Sequence, residues 1–438
     1  MTHPSRDSGL QVWIDWLLSM HAQEIELGID RVAKVAVQLK INRPAPFVIS
    51  VAGTNGKGSS VAMLSSILDA GGYKVGTYTS PHILRFNERI QLNGKVVSDQ
   101  QIVDAFLEIE LARGDVKLTY FEFSTLAALL IFKQEHVEVA VLEVGLGGRL
   151  DAVNLVDADA VLITAIGIDH IEWLGADRSV IATEKAGITR ANKPAVCSDP
   201  NPPRSLFDYV IEKQVPLHSL GRDFSFKKPM LNESQQAWSI SLANNWLEVH
   251  DKSLPFPALK GQFQLQNAAG VLALLSEVQQ SLPVDYLAIC EGLMSVSHPG
   301  RLERLIVNNN DWLIDVAHNP QSADALAEYL SASDPKHTYS AVFSVLSDKD
   351  SLPMVKTLAP YVRKWFIADL AIPRSTSLSQ LTSLLLTAGV KQDNIIVSDS
   401  IDDAVGKVST VFSAPVLVWG SFFTVSQTLT SLKHRDWL

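Results

Sequence analysis

Residues 47–60, FVISVAGTNGKGSS, decide the fold. A β-branched apolar run ends at Gly53 and a helix-compatible stretch, 59–70, follows it, so the order strand, glycine-rich turn, helix opens an α/β unit. Such a turn aims backbone N–H groups and the positive end of a helix at an anion. Thr54, Asn55, Gly56, Lys57, Gly58 and Ser59 thus form a candidate phosphate cradle, with Lys57 reaching outer phosphates and the Ser59 hydroxyl directed at a metal. The spacing departs from the common phosphate loop, since Val51 stands where glycine is usual and Gly58, not Ser or Thr, follows the lysine. The competing reading is a turn that only lets strand and helix pack closely.

Working outward, apolar runs recur at 74–79, 137–144 and 158–166, separated by helical patterns such as 124–134, which predicts a mostly parallel sheet. Between Pro216 and Pro257 the pattern shifts to short alternations, WSISL (238–242) and WLEVH (246–250), the mark of a small antiparallel insertion; 264–278 then reads as a helix. The stretch 295–303, SVSHPGRLE, is punctuated like a linker, placing a boundary near His298 and two domains at 1–297 and 298–438. Beyond it, strand-like runs at 312–316, 340–345, 365–368 and 416–419 alternate with helices, so the second domain also reads as doubly wound.

Length and composition agree with this. A chain of 438 residues fits two domains, and 47% apolar against 19% charged residues allows large cores. A formal charge of −10 disfavours nucleic acid and anionic membranes as partners. Cys197 and Cys290 lie far apart without zinc spacing, which points to a reducing compartment. The polar start, MTHPSRDSGL, carries no leader, and the most apolar run, 126–132, falls well short of the roughly 20 residues that span a bilayer. A cytoplasmic, globular protein is expected.

Three possible metal ligands follow three separate strands: Ser80 in TYTSPH, Glu143 in AVLEVGLGGRLDAVN and His170 in ITAIGIDH. In an open parallel sheet ligands gather beyond the carboxyl ends of the strands, where the phosphate cradle also lies, so metal and nucleotide would meet. Mg²⁺ takes few protein ligands and completes its shell with water and phosphate oxygens. Singly, Ser80 reads equally well as a turn residue and His170 as a helix-capping or core histidine.

The ordered motifs GTNGKGS, TSPHILRFNERI, LTYFEFSTLAAL, EVGLGGRLDAVN, DHIEWLG, TEKAGI, PGRLE, DVAHNP and GSFFTV run through nearly the whole chain. Together they resemble the folylpolyglutamate synthase group of the Mur-ligase superfamily. That resemblance implies an α/β protein with a P-loop ATPase domain followed by a smaller Rossmann-like domain, and an ATP- and Mg²⁺-dependent ligase. Its expected substrates are L-glutamate, dihydropteroate and tetrahydrofolates, and a monomer is expected. It also implies Mg²⁺ on Ser80, Glu143 and His170, and a carbamylated Lys185 helping to hold a second ion. Read alone, Lys185 is better taken as a helix-surface lysine paired with a neighbouring acid such as Glu184.

For the nucleotide's adenine and ribose, the resemblance points to Asn267, Arg301, Asp315 and His318. The family's histidine-glutamine before that asparagine is replaced here by QFQLQN, 262–267. For the pterin it nominates Glu24, Ile25, Glu26 and Leu27, then Thr119, Tyr120, Phe121 and Glu122, then Leu150, Asp151 and Ala152. Phe121 could stack on a flat heterocycle or simply pack in the core. The expected chemistry is activation of a carboxylate as an acyl phosphate and attack by the amine of glutamate, with Lys57, His170 and Lys185 as the catalytic set. The alternatives are a synthase limited to polyglutamylation, a Mur-type peptide ligase, and a P-loop switch that ligates nothing.

Overall fold

The computed structural model describes residues 3–20, 26–227, 237–243, 247, 249, 252–333, 338–410 and 414–438. The chain divides into two compact units, Met1–Ala258 with Leu265–Ser297, and Leu259–Gln264 with His298–Leu438. The division read from sequence at 297/298 therefore omits a detail, because 259–264 go with the second unit. The cause is local packing. Gly261 adopts φ +100, in the left-handed region, beneath Phe263 and Leu302, and Phe263 packs against the core that contains Leu302.

The first unit carries an eight-stranded sheet. Its strands are β1 (Phe47–Ala52), β2 (Val75–Tyr78), β3 (Ile90–Leu92), β4 (Lys95–Val96), β5 (Val139–Glu143), β6 (Ala160–Ile163), β7 (Ala195–Cys197) and β8 (Leu217–Ser219). The order is β4-β3-β2-β5-β1-β6-β7-β8, parallel except for the β2-β3-β4 edge. β1 lies between β5 and β6, and a strand covered on both faces needs the continuous apolar run that FVISVA supplies. The helix Tyr120–Gln134 is fixed at its start by a capping box: Thr119 accepts from the Glu122 N–H, and Glu122 accepts from the Thr119 N–H.

The alternating segment forms a three-stranded antiparallel sheet of β9 (Phe224–Lys227), β10 (Ala237–Leu242) and β11 (Leu254–Pro255), as its period-two pattern requires. WSISL falls on β10, whereas WLEVH lies largely outside the described residues.

The second unit has a six-stranded sheet of β12 (Glu303–Val307), β13 (Asn310–Ile314), β14 (Tyr339–Phe343), β15 (Val362–Ile367), β16 (Ile395–Val397) and β17 (Val416–Trp419), ordered β12-β13-β17-β14-β15-β16. The β12-β13 hairpin is antiparallel and the rest parallel. Phe343, Trp365 and Trp419 pack as a buried aromatic cluster with ring centroids 4.6–6.1 Å apart. Among the described residues no helix is long and apolar enough to cross a membrane.

Candidate active site

At the end of β1 the chain has room for glycine only. Gly53, at φ +157, and Gly56, at φ +89, would each drive a Cβ into a neighbour: Gly53 into the Thr164 side chain, Gly56 into the Asn267 side-chain amide. Gly56 is the N-cap of the helix Lys57–Ala70. The helix therefore begins two residues earlier than its pattern suggested and brings Lys57 into its first turn. Lys57 folds back, its Nζ donating to the carbonyls of Gly53 (3.1 Å) and Thr54 (3.2 Å). Ser59 is buried in the same turn.

Lys185, in the helix Arg178–Ala186, reaches the same place. Only 3% exposed, it donates from Nζ to the Gly53 carbonyl at 3.0 Å, so two lysines share one acceptor. Burial first, and the charge of Lys57 second, push the Lys185 ammonium down to about 7, with Asp169 and Asp151 opposing. The surface-lysine reading fails here, because Glu184 pairs with Arg149 at 2.8 Å. Asp151 is buried among the same charges. Burial pushes its carboxyl up to about 6, although its oxygens accept from the N–H groups of Leu146 (2.8 Å) and Val153 (2.9 Å).

The Ser80 N–H donates to Glu143 Oε2 at 3.1 Å, and Glu143 is buried. His170 has φ +51, and its N–H is held by Asp169 Oδ1 at 2.8 Å. The segment leading to it is tied to the phosphate loop, since Thr54 Oγ1 donates to the Gly167 carbonyl and accepts from the Gly167 N–H, both at 2.9 Å. Asp199 and Arg178, paired at 2.8 Å, hold the N–H and carbonyl of Ile166 at 2.6 and 2.7 Å. Neither Asp199 nor Arg178 stands out in the sequence, because one lies after β7 and the other opens a helix. Among the described residues no three His, Cys, Asp or Glu side chains are grouped to hold a metal. A hydroxyl and a carboxylate are the oxygen donors that a hard divalent ion takes, and it completes its shell with phosphate oxygens and water; an imidazole is the donor that softer divalent ions accept as well.

The segments nominated for the pterin are joined by hydrogen bonds. Arg31 pairs with Glu26 and donates to Glu122 Oε1 at 2.9 Å, and the Gly28 N–H donates to the Leu150 carbonyl at 3.2 Å. Glu122 is thus occupied in capping and in an ion pair. Phe121 covers Gly145, where a Cβ would strike its ring, and lies 6.1 Å from the Tyr78 ring. Tyr120 stacks beneath the Arg89 guanidinium. Ala152 begins a short 3₁₀ turn capped by Asp151. Leu27 is half-buried, and Glu24 and Ile25 lie outside the described residues.

In the second unit Asp315 is buried just past β13 and accepts from the N–H groups of Leu302 (2.9 Å) and Ala317 (2.8 Å). Its carboxyl is pushed up by burial and drawn back by Arg301. The Arg301 guanidinium sits 5.1 Å over the Phe422 ring, and the His318 ring lies 5.7 Å from that same ring. His318 Nδ1 lies 2.8 Å from the Val316 carbonyl, which can only accept, so the hydrogen is on Nδ1. Asn267, by contrast, backs the phosphate loop at Gly56.

A glycine-rich strand-to-helix turn with two converging lysines, beside a carboxylate at a neighbouring strand end, accords with an ATP-using ligase of the Mur type. Residues 51–275 match the Mur ligase middle domain and 300–422 the Mur ligase glutamate ligase domain. The chain is 39% identical to the dihydrofolate synthase/folylpolyglutamate synthase of Escherichia coli K12, covering 99% of this chain and 97% of that protein. It superposes on the structure of E. coli FolC in complex with DHPP and ADP with a TM-score of 0.89 at 39% identity, covering 99% and 100% of the two chains. A bifunctional folylpolyglutamate synthase/dihydrofolate synthase with Mn, AMPPNP and L-glutamate bound matches with a TM-score of 0.87 at 38% identity, covering 98% and 99%. The chain belongs to the dihydrofolate synthase/folylpolyglutamate synthase family of Mur ligases.

Proposed function

We propose that this enzyme joins L-glutamate to dihydropteroate, and further glutamate to tetrahydrofolates, using ATP. The observation that carries the reading is the convergence of Lys57 and Lys185 on the glycine-rich turn between β1 and its helix, where loop N–H groups and a helix start favour a phosphate. A carboxylate resists attack by an amine because oxide is a poor leaving group. Transfer of the terminal phosphoryl group of ATP to a carboxylate oxygen breaks the bond to ADP and gives an acyl phosphate. The amine of glutamate then attacks the acyl carbon, and phosphate departs as the amide forms.

In this scheme Lys57 and the loop amides orient the outer phosphates and stabilise charge on the moving group. Ser80, Glu143 and His170 would hold a divalent ion, which we take to be Mg²⁺, and such an ion offsets phosphate charge. Lys185, its ammonium pushed down to about 7, has a neutral amine available at physiological pH. That amine can attack CO₂, forming a carbamate and releasing a proton, and the carbamate oxygens would help hold a second ion. Arg301 and His318 serve the adenine and ribose side, and Asp315 acts through them by holding the Leu302 and Ala317 N–H groups. Residues 26–27, 119–122 and 150–152 line the pterin side. The enzyme acts as a monomer in the cytoplasm.

The test is phosphate release by the purified chain with MgATP and glutamate, given in turn dihydropteroate, tetrahydrofolate and a nucleotide-linked peptide. Release with the first two substrates only is expected. Activity with tetrahydrofolate alone would reduce the assignment to polyglutamylation, and ATP hydrolysis indifferent to glutamate would remove it.

A further inference from the structure

Among the described residues, Arg89 is a buried cation that no carboxylate answers. It closes the segment TSPHILRFNER, and its carbonyl accepts from the Thr79 N–H at 2.9 Å, which sets it across from the residue preceding Ser80. Its Nε donates to His82 Nδ1 at 2.8 Å, and its guanidinium lies 5.7 Å from the Phe86 ring centroid and 5.4 Å from that of Tyr120. The Tyr120 hydroxyl is within hydrogen-bonding reach. The residue is 7% exposed. None of these partners is an acid, and among the described residues no carboxylate pairs with Arg89. Other arginines of the unit are matched: Arg31 to Glu26 and Glu122, Arg85 to Asp99, Arg178 to Asp199. The terminal nitrogens of Arg89 are not among the polar atoms sealed away without a partner. Its guanidinium lies beside Tyr120, with neutral partners on the sides described.

A buried guanidinium wants a counter-charge, and where the protein supplies none a ligand can. The two acceptor acids proposed above differ in this respect. Dihydropteroate has one carboxylate, the one to be activated. A folate ends in a glutamyl residue, whose γ-carboxylate goes to activation near Ser80 and Glu143 and whose α-carboxylate needs a cation of its own. We infer that Arg89 binds this second carboxylate, and so serves the folate-extending reaction and not the dihydropteroate reaction. The inference rests on the function proposed above and assigns the residue that separates its two substrates.

Arg89→Met keeps an apolar stem between Phe86 and Tyr120 and removes the charge. The KM for tetrahydrofolate should rise roughly 10- to 100-fold while that for dihydropteroate moves less than about 3-fold. Arg89→Lys should recover part of the difference, because it restores charge without the planar fork. Equal losses with both substrates would make Arg89 a structural staple and overturn the inference. If the methionine variant does not fold, the unaltered enzyme decides. A tetrahydrofolate analogue carrying 4-aminobutyrate in place of glutamate keeps the carboxylate to be activated and lacks the α one. Its KM should show the same rise, and an unchanged KM would overturn the assignment. Absence of dihydropteroate turnover in the unaltered enzyme would sink the function proposed above, while comparing the analogue with tetrahydrofolate in the unaltered and Arg89→Lys enzymes would still read Arg89.

Discussion

Past the end of β1 and past the end of β13 the chain buries charge in opposite ways. Beyond β1, Lys57 and Lys185 crowd one carbonyl, and burial drives the second lysine toward neutrality. Beyond β13, each carboxylate oxygen of Asp315 meets a backbone N–H, and an arginine stands near to offset the rest. The first arrangement gathers two basic side chains at a glycine-rich turn and perturbs one of them. The second spends its carboxylate on backbone N–H groups and holds backbone in place. Strand ends of similar architecture can thus hold chemistry or hold shape, and what the buried charge is set against tells which.

The comparison is broken most forcefully at Lys57. Lys57→Ala should lower kcat/KM for both acceptor acids by roughly 10³-fold or more while circular dichroism and melting temperature hold. Normal turnover with unchanged ATP dependence would show that the crowding has no catalytic meaning. Lys185→Ala should fall by about 10²- to 10³-fold and recover in part when short carboxylates are added, which steady-state rates would read. Full activity without rescue would remove the carbamate.

Asp315→Ala tests the satisfied side. It orphans two buried N–H groups, so a loss of about 2–4 kcal/mol in urea unfolding of the second unit is expected, larger than any loss of kcat. A large kcat effect with unchanged stability would reverse the distinction drawn here.

A pH titration sharpens the contrast with a smaller effect. An unfolded lysine keeps its proton up to about 10.5, whereas folded Lys185 releases its proton above about 7. In that window the unfolded state binds more protons, so the contribution of Lys185 to stability rises with pH. Denaturation at several pH values should show this rise in the native chain, and Lys185→Met should flatten it.

The phosphate loop was legible because strand, glycine and lysine are neighbours in the chain, so local chemistry suffices. The pairing of Ser80 with Glu143 was legible one step further out, since parallel strands bring their ends together. The state of Lys185 was not legible, because it depends on Gly53, Lys57, Asp151 and Asp169, which only the folded sheet assembles. Likewise Glu184, one residue before Lys185, turns to Arg149 because its helix packs on the glycine-rich turn at Gly148. Strands as short as β3, β4, β7 and β8 carry too few residues to show a period. The return of 259–264 to the second unit hinges on Gly261 and Leu302, which no composition shift announces.

The side chain of Asn267 fills the hollow behind Gly56, so the phosphate loop is cast against a helix that arrives much later in the chain. The loop's curvature is inherited from that mould. A change at 267 would therefore retune how tightly the polyphosphate is gripped by reshaping the turn from behind, which gives laboratory evolution a dial on nucleotide affinity.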